Sequence, residues 1–261
     1  MKSTDFDYKR IAEGYKNRPF LHKQVIEKFQ EDIGGQHFAL GLDIGCGAGL
    51  STKALKYICS KVIGSDISPE MIRVAREVCG LDENITYIVS SAEEIAIPAE
   101  KVDIVTAAGA IQWIDRACFL SRIRQAMKDN GYLLIYDFAI SDEMNGNPSY
   151  TDWWHNQYLE EFPRPYRDDS IWKNKDVEPY GFRMLKQTHL EMEHSFDLAS
   201  FIEFMMIQSN VNARIDAGER KEEAAYQWFQ ETLTPIFHGE NQTLLFKGYS
   251  WYLISAASSC E

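Results

Sequence analysis

The chain has 261 residues, 45% of them hydrophobic and 25% charged, a balance that supports a sizeable core and excludes a disordered class. Its formal charge of −12 argues against an extended phosphate-binding face, so no nucleic-acid partner is expected. The N-terminal MKSTDFDYKR is charged where a secretory leader is apolar, and no apolar run approaches the roughly 20 residues of a membrane span. The five cysteines, Cys46, Cys59, Cys79, Cys118 and Cys260, are odd in number and far apart, without a Cys-x-x-Cys pair. Reduced thiols in a cytoplasmic protein with no membrane partner are the expectation.

In chain order, short apolar runs bounded by turn residues occur at 38–44 (FALGLDI), 61–66 (KVIGSD), 85–89 (ITYIV), 102–108 (VDIVTAA) and 131–138 (GYLLIYDF). Runs this continuous read as strands buried on both faces. Helical spacing separates them: Leu50, Ala54, Leu55 and Ile58, then Met71, Ile72, Ala75 and Val78, then Phe119, Ile123 and Met127. Ser68 and Pro69 fit the N-cap and first turn of the second helix. Alternating strand and helix from about 38 to 138 predicts a doubly wound α/β sheet. From Ser141 to Tyr180 the chain turns aromatic and proline-rich and reads as an insertion over the sheet. LKQTHLEMEHSFD (185–197) predicts a strand, 198–208 and 219–234 helices, and 243–257 a closing strand.

Three of the sixteen glycines stand at alternate positions in LDIGCGAGLST, residues 42–52. Glycines clustered between a strand and a helix mark a tight turn or a close approach of the main chain to a ligand. At the carboxyl edge of a parallel sheet that turn, with the helix N-terminus, is a binding site. The second strand ends in Asp66, where a carboxylate can accept hydrogen bonds from ribose hydroxyls, so an adenosine-containing cofactor is expected. A dinucleotide fingerprint would need a third glycine at position 50, which is Leu50.

The loop instead reads Asp43-x-Gly45-x-Gly47-x-Gly49 and closely resembles the first motif of class I S-adenosylmethionine-dependent methyltransferases; GSDISPEM (64–71) is similar to their second. AAGAIQWID (107–115) resembles the fourth-strand exit of the type 11 small-molecule subgroup, and KDNGYLLIYDF (128–138) its following turn and strand. EGYKNRPF (13–20) resembles the Tyr-x-x-Arg-Pro segment that folds over the cofactor in relatives including trans-aconitate methyltransferase. The resemblance implies a mostly parallel seven-stranded sheet with an antiparallel last strand, in one domain. Its cofactor-binding core would span about 36–140, with lid elements at about 1–30, 141–180 and 198–240.

The same resemblance implies cofactor contacts from Tyr15, Arg18, Asp43, Gly45, Cys46, Gly47, Gly49, Asp66, Ile67, Met71, Ala108 and Trp113. Where many relatives carry Asp near the adenine, this chain has Ser91, with Ala92 and Glu93 as substitutes. Arg18 could pair with the methionyl carboxylate, and Tyr15 or Trp113 could face the sulfonium. The expected reaction is methylation of a small molecule, at an oxygen of a carboxylate or hydroxyl, without metal. His155 is the favoured general base among six histidines, and Arg164, Arg167 or Arg214 would suit an anionic acceptor. FMMIQSNVN (204–212) offers Met205, Met206, Gln208 and Asn210 to an acceptor pocket. An NAD-dependent oxidoreductase and a non-catalytic S-adenosylmethionine-binding partner subunit are the alternatives.

Overall fold

The computed structural model describes residues 9–80, 82–96, 98–164 and 170–257. Its frame is a seven-stranded sheet in the order β3-β2-β1-β4-β5-β7-β6. The strands are β1 (Phe38–Ile44), β2 (Cys59–Asp66), β3 (Ile85–Val89), β4 (Val102–Ala108), β5 (Met127–Met144), β6 (Phe182–Phe196) and β7 (Gln242–Ser255). The first five pair in parallel, and β7 runs antiparallel between β5 and β6. Strand order reverses at β1, between β2 and β4, the switch point where open α/β sheets leave a crevice at their carboxyl ends.

The helices are α1 (Lys9–Tyr15), α2 (His22–Asp32), α3 (Leu50–Leu55), α4 (Pro69–Cys79) and α5 (Arg116–Ala126). Then α6 (Pro148–Trp153) runs through a π-helical turn (Trp154–Tyr158) into α7 (Leu159–Glu161), followed by α8 (Asn174–Val177). The last three are α9 (Leu198–Met206), α10 (Ser209–Asp216) and α11 (Glu222–Phe237). Helix α4 starts as its sequence indicates: the Ser68 side chain accepts from Met71 N at 3.2 Å, and Pro69 stands at the first helical position.

Alternation along the strands divides the core. Leu134, Tyr136 and Ile140 of β5 face one layer with α2, the aromatic residues of α6 and its π-helical turn, α9 and α11. Leu133 and Ile135 face the other, with α5, Trp172 and Val177.

Four expectations need correction. Strand β5 extends to Met144 because β7 pairs with it as far as Leu244, so the insertion begins after the strand. The insertion does not form one cover: residues up to Phe162 join one face and Trp172 and Val177 the other. A further helix, α10, lies between the two expected at 198–208 and 219–234. Finally, α2 falls within the span expected to be lid, but Val25, Ile26 and Phe29 are fully buried against the sheet. The Phe29 ring meets Tyr132 at 5.6 Å and Tyr252 at 5.0 Å, both edge-on. Phe29→Ala should therefore cost about 3–5 kcal/mol of stability in urea unfolding; a midpoint unchanged from the parent would mean that α2 is a detachable cover.

Candidate active site

A cavity of about 300 Å3 opens at the carboxyl edge beside the switch point. Its floor is the glycine loop between β1 and α3, and its three glycines serve two purposes. All three have positive φ. A Cβ on Gly45 would sit 2.5 Å from Ala110 Cβ, and one on Gly49 would lie 2.6 Å from the Tyr87 hydroxyl, so these two leave room for neighbouring side chains to pack. At Gly47 the nearest atom to such a Cβ is Tyr15 Cδ1, at 3.9 Å. That space is the cavity itself, so Gly47 presents bare main chain to a ligand.

Two carboxylates hold the loop. Asp43 is fully buried at the end of β1; Ser51 and Thr52 hydroxyls donate to its Oδ2 at 2.6 and 2.7 Å, and the Thr106 hydroxyl donates to Oδ1 at 2.7 Å. Burial nevertheless pushes its carboxyl up to about 6. Asp66, at the end of β2, accepts from Gly47 N at 2.8 Å through Oδ2 and from Ser68 N at 2.9 Å through Oδ1. It lines the cavity, and burial raises its pKa despite the main-chain donors. A carboxylate offers about four acceptor positions, so ribose hydroxyls could still be accepted.

The N-terminal segment covers the loop. Ile11 and Ala12 of α1 pack with Ala48, Met71 and Val74, and Glu13 pairs with Arg73 of α4. The Arg18 guanidinium lies 3.9 Å from the Tyr15 ring centroid. Its Nε is buried without a hydrogen-bond partner, a donor that a bound anion would satisfy.

Of the expected site residues, Tyr15, Arg18, Gly45, Cys46, Gly47, Asp66, Ile67, Met71, Ser91, Ala92, Glu93, Ala108 and Trp113 all line this cavity. Asp43 and Gly49 do not; they brace the loop from behind. Ser91 Oγ accepts from Glu94 N, and Glu93 accepts from Asp115 N, so both side chains shape the turn as well. His155 is misplaced as a base: it is exposed, bonds to Asp142 at 2.7 Å and lies outside the cavity. Its helix turns Trp153 and Trp154 inward and leaves the imidazole outside.

Gln208 reaches the cavity, whereas Met205 and Met206 are core and Asn210 is bound to Tyr158 and Phe162. Arg214 is tied to Glu161 and Glu219, Arg164 lies over Trp154, and Arg167 and Cys260 lie outside the described residues. Among the described residues Cys46, Cys59, Cys79 and Cys118 are free thiols, and no cluster of three or more His, Cys, Asp or Glu could hold a metal. No helix described is long and apolar enough to cross a membrane.

Several lining residues went unassigned in the sequence: His22, Tyr136, Asp137, Phe138 and Phe246. Tyr136 and Phe138 are two apart on β5 where its pairing with β4 ends, so they share a face at the carboxyl edge of the parallel strands; that spacing is the signal in the sequence.

The raised pKa of Asp43 fixes the sign of a pH effect. Its contribution to stability is fully present below the unfolded pKa and is lost as pH rises through about 6. Between pH 4 and pH 7 the parent protein should lose about 2 kcal/mol of unfolding free energy relative to Asp43→Asn; parallel profiles would place the carboxylate in water.

Comparison with known proteins gives this geometry a set of relatives. The type 11 methyltransferase-domain model matches residues 42–135, from the end of β1 into β5. A putative methyltransferase of Dictyostelium discoideum is 27% identical over 227 residues, covering 83% of this chain and 82% of its own. A ubiquinone biosynthesis O-methyltransferase of Cereibacter sphaeroides is 29% identical over 136 residues; that match covers 49% of this chain and about half, 52%, of the relative. Among solved structures, a putative type II methyltransferase from Anaeromyxobacter dehalogenans shares the fold with a TM-score of 0.68 at 19% identity, covering 89% of this chain and 95% of its own. The glycine loop that leaves Gly47 bare lies inside the matched stretch 42–135, so the chain carries a methyltransferase domain there, and the relatives and the shared fold support an S-adenosylmethionine-dependent methyltransferase.

Proposed function

We propose that this enzyme methylates an oxygen atom, of a hydroxyl or a carboxylate, on a small molecule held beside the aromatic wall of the cavity. The observation that carries the reading is the continuity of one cavity from Gly47 and Asp66 to Phe138, Phe204 and Phe246. Its apolar side chains suit a compact organic acceptor. The likeness to an enzyme named as an O-methyltransferase supports oxygen as the acceptor atom. The finer resemblance to trans-aconitate methyltransferase rests on the segment with Tyr15, Arg18 and Pro19 alone.

The residues present fit S-adenosylmethionine. Main chain at Gly45 and Gly47 would receive its methionyl part, the partnerless Arg18 Nε its carboxylate, and Asp66 its ribose hydroxyls. Ala92 and Glu93 would border the adenine, and Tyr15 and Trp113 would offer ring faces near the positive charge. When bound, the cofactor supplies a methyl group made electrophilic by an adjacent sulfonium. The chain contributes alignment and exclusion of water: α1 and Arg18 close over the loop, and the rings of the far wall restrict the acceptor.

Calorimetric titration of S-adenosylhomocysteine should give one site per chain, with no heat from NADH. Asp66→Ala should weaken that affinity by about 1–3 kcal/mol through lost charge-assisted hydrogen bonds and a loosened Gly47 amide, and Gly47→Val should abolish it. Tight NADH binding, or full affinity in both variants, would refute the cofactor assignment.

A further inference from the structure

The acceptor end of the cavity carries a polar pair that the cofactor does not explain. His22, the first residue of α2, places Nδ1 3.0 Å from the Tyr136 hydroxyl on β5. Its ring lies 5.0 Å from Phe138, which meets Phe246 at 6.4 Å, and Phe246 meets Phe204 at 5.6 Å. A continuous aromatic wall therefore runs from the imidazole to α9.

Charge narrows what this wall can hold. Among the described lining residues Arg18 is the sole Lys or Arg, and the methionyl carboxylate would take it. The carboxylate on the β5 side is Asp137, which accepts from Gln112 at 2.8 Å. Burial and the neighbouring Arg18 push the His22 imidazole down to about 3, so it remains neutral at physiological pH. An anionic acceptor at this wall would find no second cation among the described lining residues to compensate its lost hydration. A neutral hydroxyl meets a neutral pair that can accept and donate: when Nδ1–H donates to the Tyr136 hydroxyl, Nε2 keeps its lone pair, and no described residue occupies it.

We propose that the acceptor is an uncharged aromatic molecule bearing a hydroxyl, stacked along Phe138 and Phe246 and selected against its carboxylate counterpart by hydrogen bonding to the His22–Tyr136 pair. This assignment rests on the cofactor reading above and chooses between the two oxygen acceptors it leaves open. The pair acts as a specificity determinant: its role is to recognise a proton donor in a place where a charge would be unpaired.

The test titrates the complex with S-adenosylhomocysteine, at neutral pH, with three probes of one shape: 2-naphthol, 2-naphthoate and 2-naphthylmethylammonium. The naphthol should bind at least about tenfold more tightly than either ion, the scale of an unpaired buried charge. His22→Phe should erase most of that preference while S-adenosylhomocysteine affinity stays within about twofold, and His22→Arg should shift preference toward the naphthoate. Equal or tighter binding of either ion by the parent protein overturns the assignment, as does absence of heat from all three probes while S-adenosylhomocysteine still binds. Failure of the parent to bind S-adenosylhomocysteine would instead overturn the reading beneath it.

Discussion

The arrangement of the site depends on the buried carboxylate of Asp43. It ends β1, and its two oxygens accept three hydroxyls, from Ser51 and Thr52 at the start of α3 and from Thr106 on β4. One side chain therefore ties the first strand, the helix that follows it and the neighbouring strand across the switch point. Placing a carboxyl there is costly, as its raised pKa records. The return is a loop whose backbone is set by the layer beneath it, so that Gly47 need carry no side chain to hold its place. Asp66 completes the arrangement from β2 by accepting the Gly47 amide.

The cavity combines two kinds of recognition. At the glycine loop the cavity presents main chain and two charged side chains, Arg18 and Asp66, positioned by ends of regular elements or by a short covering segment. At the far side it presents rings from β5, β7 and α9, with one neutral hydrogen-bonding pair. The glycine loop and Asp66 of the first half lie inside the stretch 42–135 that the methyltransferase-domain model matches. The second is built from segments outside or at the end of the matched stretch 42–135, where each member can suit its own acceptor.

This division explains what was legible in the sequence. Continuous apolar runs located β1 and β4 at their observed bounds, because a strand buried on both faces has no polar alternation to blur its ends, and β3, a half-exposed edge strand, was bounded by its flanking turn residues. The glycine spacing and Asp66 located the cofactor half, because close backbone approach and a strand-end carboxylate leave a local pattern. The acceptor half left none. His22 and Tyr136 are far apart in sequence and meet only through the packing of α2 onto β5. His155 stood out beside Trp153 and Trp154, yet the helix that buries those rings turns the imidazole to solvent. Helix α2 was read as cover because its segment adjoins Tyr15 and Arg18; Phe29 shows it to be part of the core.

The central claim is that exposed main chain at Gly47 and the carboxylate of Asp66 together receive one ligand. A crystal structure with S-adenosylhomocysteine bound tests it most directly. The expected result is the amino-acid end of the ligand against residues 45–47, its carboxylate on Arg18, and its ribose hydroxyls on Asp66. A ligand bound elsewhere, or bound here with Asp66 turned away from the sugar, would contradict the account.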